Sequence, residues 1–155
     1  MEIRASKTAE SARAFLKNLV EKAPFKISKV LTDNGKEFTD RFSVNGQREP
    51  TGEHLFDRQC AEHDIEHRLI KPRTPCTNGM VERFNGRVAE LINQTRFTSS
   101  SQLKETLMRY LRTYNHHIPQ KNIGHITPTE ALKNWRRQHP DLFKKEVYNQ
   151  SGLDI

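Results

Sequence analysis

Lys71 to Gly86 reads KPRTPCTNGMVERFNG. Two prolines, two Asn-Gly pairs, three basic side chains and one acid, Glu82, share these 16 positions, and Arg87 follows directly. The first half carries loop signals, since proline and Asn-Gly both break regular structure. From about Asn78 to Gln94 a helical pattern takes over. Val81, Phe84, Val88 and Leu91 fall at i, i+3, i+7 and i+10, which predicts a buried stripe. Glu82 sits about 100° from Val81, at the edge of that stripe and in the first turn of the helix. An acid there suits the helix dipole, which is sufficient reason for its presence if it stands alone.

A second acid stands upstream. "KISKVLT" (26–32) is short and β-branched and runs into "DNG", so it predicts a buried strand that ends in a turn at Asp33. Asp-Asn-Gly is ordinary turn chemistry. In open α/β sheets, however, sites form outside the carboxyl ends of strands. "IEHRLI" (65–70) predicts a second strand, whose end opens onto the Lys71 loop. If the two strands are neighbours, Asp33 and Glu82 converge on one edge of the sheet. Paired carboxylates suit hard, oxygen-seeking Mg²⁺ or Mn²⁺. A two-metal arrangement activates a water or 3′-hydroxyl and stabilises the leaving oxygen of a phosphodiester.

The rest of the chain follows the same alternation. "KTAESARAFLKNLVEKAPF" places Ala12, Phe15, Leu16, Leu19 and Val20 at helical spacing, with Thr8 as cap and Pro24 as stop. Residues 39–52 predict a loop or ragged hairpin, and 53–63 a short helix. "SSSQLKETLMRYLRTYNHH" predicts a helix with Leu103, Leu107, Tyr110, Leu111 and Tyr114 on one stripe. "TPTE" (127–130) is a capping box with Pro128 at the first helical position, ahead of a last helix through "ALKNWRRQ". Strands alternating with helices predict an α/β layer fold with parallel strands.

Composition narrows the function classes. The 155 residues are 34% hydrophobic, with a net charge of +7. The mean hydropathy is −0.86 and the pI near 9.6. No apolar run approaches the roughly 20 residues of a membrane span, and "MEIRASKTAE" has no signal-peptide centre. Two cysteines, Cys60 and Cys76, exclude a disulfide framework and favour a reduced, cytoplasmic setting. The charge is uneven: Lys71–Arg137 holds 12 Lys/Arg against 4 Asp/Glu, a net +8, and the remainder nets −1. Such an excess fits a polyanionic partner as well as a solvated basic face. A zinc set from His54, Cys60, His63 and His67 is disfavoured, because packing explains Cys60 better. A Cys76 nucleophile is disfavoured because no base is indicated nearby.

Three blocks in order, "LTDNGKEF", "CAEHDIEHRLIKPRTPCTNGMVERFNG" and "YN…ITPTEALKNW", resemble the integrase catalytic core of bacterial insertion-sequence transposases. That group comprises DDE recombinases of ribonuclease-H-like fold, related to retroviral integrases. The resemblance runs from about residue 2 to 143, leaving 144–155 as a tail expected to fray. It implies a central sheet flanked by helices, and metal-dependent phosphodiester hydrolysis and strand transfer in DNA transposition and integration. It carries Asp33 over as the family's second catalytic Asp and Glu82 as its catalytic Glu, both holding Mg²⁺ or Mn²⁺. Lys71, Arg73, Asn78, Arg83 and Arg87 become the DNA-binding candidates, and Pro72–Gly79 resembles the mobile active-site loop. DNA, a transposase homo-oligomer and a nucleoid-associated location are implied as well.

Two departures stand out. Cys76 takes a place where relatives commonly carry Gln. The family's first Asp lies on a strand of an antiparallel meander, whereas upstream of Asp33 the only acids are Glu2, Glu10 and Glu21. "MEIRASKTAES" looks like the end of that meander's last strand, and a helix-turn-helix region is expected to be missing too. The sequence therefore carries two readings: a strand-transfer core, or a catalytically dead remnant that only binds DNA or transposase subunits. A ribonuclease-H-type hydrolase is disfavoured by the joining-loop resemblance.

Overall fold

The computed structural model describes residues 2–43, 46–47, 49–71, 79–145 and 147. The chain divides into two compact units, Glu2–Arg83 and the residues from Phe84 onward.

The first unit opens with α1 (Ala9–Lys22), where Thr8 accepts the Ser11 backbone N–H as N-cap. Ala12 and Leu16 are buried on its inner face, while Phe15 and Leu19 are more than a third exposed. β1 (Lys29–Thr32) leads into the Asp33 turn. A hairpin of β2 (Phe42–Ser43) and β3 (Gly46–Gln47) follows. His54 caps α2 (Leu55–Ala61) through its ring nitrogen. Asp64 then turns the chain through a left-handed backbone (φ 56°) into β4 (Glu66–Leu69).

β1 and β4 pair in parallel, with Lys29 opposite Glu66, Val30 opposite His67, Leu31 opposite Arg68 and Thr32 opposite Leu69. Parallel pairing requires a long crossover between the strands, and the β2–β3 hairpin and α2 fill it. The core gathers Ala12, Leu16, Phe56, Cys60 and Ile65, with Val20, Ile27, Val30 and Phe38 against it. Phe38 meets Phe56 edge-on at 5.1 Å.

Three expectations need correction. β1 is half-buried rather than buried: Val30 and Thr32 face the core, whereas Leu31 is 50% exposed. The physical reason is that only β4 lies beside it among the described residues. The helix after the loop, α3 (Gly79–Gln94), forms as expected. Its stripe is shallower than expected, however, because Phe84, Val88 and Leu91 are half-buried and Val81 is 53% exposed. Residues 2–8 form no strand; Glu2 instead accepts hydrogen bonds from Asn18 on α1 and from Arg4.

The second unit holds most of α3, then α4 (Ser100–His117) and α5 (Pro128–Gln138). Ser99 caps α4, and Leu107 is buried. Phe84, Tyr110 and Tyr114 form an aromatic cluster, Phe84 meeting Tyr114 edge-on at 5.0 Å. Thr127 and Glu130 close the reciprocal capping box at the start of α5.

Candidate active site

Asp33 follows the last residue of β1, and its position is fixed from two sides. Its own Oδ1 accepts the Gly35 backbone N–H at 2.9 Å, closing an Asx turn. Next to it, Asn34 Nδ2 donates to the Ile70 carbonyl at 2.9 Å, and the Ile70 N–H donates to the Thr32 carbonyl at 3.0 Å. The carboxyl ends of β1 and β4 are therefore tied together, and Asp33 is exposed at that edge. A Cβ at Gly35 would lie 2.6–2.8 Å from the Glu37 carboxylate, so a side chain there would displace Glu37. Glu37 is buried and pairs with Lys7 at 2.9 Å. The hydrogen bond to Glu37, then its charge, and further the charge of Asp33, hold the Lys7 ammonium above the ordinary lysine range.

Lys71 follows directly and is exposed. Arg73, Cys76 and Asn78 lie outside the described residues. Beyond them, Glu82 stands exposed in the first turn of α3, where the N-terminal partial positive charge favours a carboxylate. Arg83 is exposed and donates through Nε to the Gly79 carbonyl at 3.0 Å, while Arg87 is exposed one turn on, within the second unit. The structure thus brings the Asp33 turn against the start of the Lys71 segment. The link from there to Glu82 runs through 72–78.

Three residues beside this edge carry more structure than their sequence signals. His67 is almost fully enclosed, its side chain 5% exposed. Its Nδ1 lies 2.5 Å from Asp57 Oδ1 and its Nε2 lies 2.8 Å from Thr32 Oγ1. Phe56 meets the imidazole edge-on at 4.9 Å. The period-2 pattern of each strand was visible, but the parallel register that sets His67 beside Thr32 was not.

The donor chemistry suits a hard cation better than zinc. Asp33 and Glu82 offer exposed carboxylate oxygens, the ligand type of Mg²⁺ and Mn²⁺. Both His67 nitrogens are engaged, and His54 Nδ1 is taken by its capping bond. Burial, and then the charge of Asp57, push the Cys60 thiol up to about 11, which disfavours the thiolate. Among the described residues, no three His, Cys, Asp or Glu gather as a metal site.

Residues 63–128 match the integrase core domain family. Over 110 residues the chain is 36% identical to an insertion element IS476 uncharacterized 39.2 kDa protein of Xanthomonas euvesicatoria, covering 70% of this chain and 28% of that protein. Over 107 residues it is 27% identical to a putative integrase ORF3 of Spiroplasma virus SpV1-C74, covering 68% and 29%. The chain thus spans less than a third of either curated relative. Its fold is similar to the catalytic core domain of BIV integrase, with a TM-score of 0.60 at 20% identity, covering 89% of this chain and 80% of that one. A chain of the simian T-cell lymphotropic virus intasome superposes with a TM-score of 0.55 at 20% identity, covering 98% and 47%. The fold is therefore that of retroviral integrase cores, the ribonuclease-H-like class expected from the sequence.

Proposed function

We propose that this chain is the DNA-handling core of a transposase of the insertion-sequence type, spanning residues 1–143 with 144–155 as a tail, a reading supported by the integrase-core match and the insertion-element relative. One observation carries the reading: Asp33 is held, exposed, where the carboxyl ends of two parallel strands meet. In this reading Asp33 and Glu82 hold the divalent cation, Mg²⁺ or Mn²⁺. When bound, such ions supply Lewis-acid charge neutralisation at a phosphodiester and activation of the attacking oxygen. Lys71, Arg73, Asn78, Arg83 and Arg87 hold phosphates, which positions the duplex without reading its sequence. The Gly35 N–H keeps Asp33 Oδ1 directed into the turn, leaving the other carboxylate oxygen for the ligand. DNA and further copies of a transposase are the proposed partners.

The second reading, a chain that binds DNA without cutting it, draws on a different observation. The described acids upstream of Asp33 lie before or on α1, not on a strand. In this reading Asp33 and Glu82 have no third bridging carboxylate for two-metal displacement among the described residues. Fluorescence anisotropy on duplex DNA and a nicking assay in Mn²⁺ test both readings. DNA binding is expected to weaken steeply with salt, and Lys71→Ala, Arg83→Ala and Arg87→Ala each to lower the log–log slope by about one unit. No nicking is expected from the isolated chain. Metal-dependent nicking lost in Glu82→Gln would overturn the non-cutting reading, and absent or salt-independent binding would overturn the DNA role.

A further inference from the structure

The Asp33 turn is held by more than its own backbone. Thr32 Oγ1 lies 3.0 Å from the Asp33 carbonyl, to which it donates, and 2.8 Å from His67 Nε2. A threonine hydroxyl has one proton. Given to the Asp33 carbonyl, that proton leaves Oγ1 to accept from Nε2–H, and with Nδ1–H on Asp57 as well the ring is an imidazolium paired with that carboxylate. The Asp57 carboxylate is acceptor-only, so Nδ1–H donates to it at 2.5 Å. Every contact along Asp57, His67, Thr32 and the Asp33 carbonyl is then satisfied in one direction. The chain of hydrogen bonds is shielded, because the His67 side chain is 5% exposed and that of Asp57 18%. It links α2, β4 and β1.

We propose that Asp57, His67 and Thr32 are positioning residues that fix the backbone at Asp33 and so aim its carboxylate out of the sheet edge. The proposal rests on the reading of Asp33 as the cation-holding carboxylate, but its geometry can be tested without any metal. A buried, satisfied histidine serves core stability in many proteins, and such a role would loosen the strand pair as a whole when disturbed. A positioning role loosens one end of it. The Gly35 amide, bonded to Asp33 Oδ1, reports on that end, and the Glu66 amide, bonded to the Ser28 carbonyl, reports on the other.

Amide exchange followed by NMR on the 155-residue chain separates the two roles. Thr32→Val keeps the branched shape and deletes the hydroxyl, whereas Thr32→Ser keeps the hydroxyl. Thr32→Val is expected to speed Gly35 exchange about tenfold, the loss of roughly one hydrogen bond, with Glu66 exchange unchanged. Thr32→Ser is expected to restore the wild-type rate. Asp57→Asn, one link further back, is expected to speed Gly35 in the same sense. Unchanged Gly35 exchange in Thr32→Val, or an equal rise at Glu66, would overturn the positioning role. Mn²⁺ calorimetry on the same proteins keeps the two claims apart. Weaker Mn²⁺ binding in Thr32→Val, restored in Thr32→Ser, supports both. Local loosening of Gly35 in Thr32→Val, alongside a wild-type chain that binds no Mn²⁺, supports the positioning relay and overturns the cation reading alone.

Discussion

At the residue scale, a few atoms decide what the site can do. Cys60 is 1% exposed and lies in the core beside Phe56 and Ile65. Its thiol is pushed up to about 11, first by burial and then by Asp57, so almost no thiolate exists near neutral pH. Iodoacetamide is therefore expected to leave Cys60 unmodified in the native chain and to label it on unfolding, which peptide mass spectrometry reads directly. Labelling of native Cys60 at the rate of a free thiol would show that this core opens. Much of this scale was legible in the sequence. The placement of Asp33 at a strand end and of Glu82 in a first helical turn is legible in the sequence, and both are exposed. His67 was not legible, because a lone histidine in "IEHRLI" says nothing about Thr32, 35 positions earlier, or about Asp57 on a helix. The Lys7–Glu37 pair was hidden for the same reason: an ion pair between distant residues is set by tertiary packing.

At the element scale, local signals worked where local physics dominates. The Thr8 cap, the capping box at 127–130 and the short helix near 53–63 all formed close to the expected positions. The burial of β1 and of the α3 stripe was overestimated, because periodicity shows which side chains share a face but not what covers that face. The α5 cap gives this scale its prediction. Glu130 is held below the ordinary carboxylate range by the Thr127 backbone N–H first and the Thr127 hydroxyl second. A carboxyl whose folded value is lowered stabilises above its unfolded value and loses that contribution as pH falls through the folded one. Far-UV circular dichroism is thus expected to show α5 fraying on acidification below the usual glutamate range. Thr127→Ala is expected to cost about 1 kcal/mol at neutral pH by removing the cap, and to flatten that acid response. A variant as stable and as acid-sensitive as wild type would mean the box contributes nothing.

At the scale of the whole molecule, a chain that is 34% hydrophobic builds a small core in its first unit and an aromatic cluster in its second. Among the described residues no helix is long and apolar enough to cross a membrane. The net charge of Lys71–Arg137 is +8, and that stretch begins just after the β4 end tied to the Asp33 turn. The ordered blocks made the fold legible, because their sequence order follows the parallel β1–β4 pair and the helices around it. In the proposed reading Asp33 and Glu82 together hold a divalent cation, and titration calorimetry with Mn²⁺ measures this. Two carboxylates with few other ligands are expected to bind weakly, and either Asp33→Asn or Glu82→Gln is expected to abolish the signal. Tight Mn²⁺ binding that survives both substitutions would contradict the claim and put the cation elsewhere.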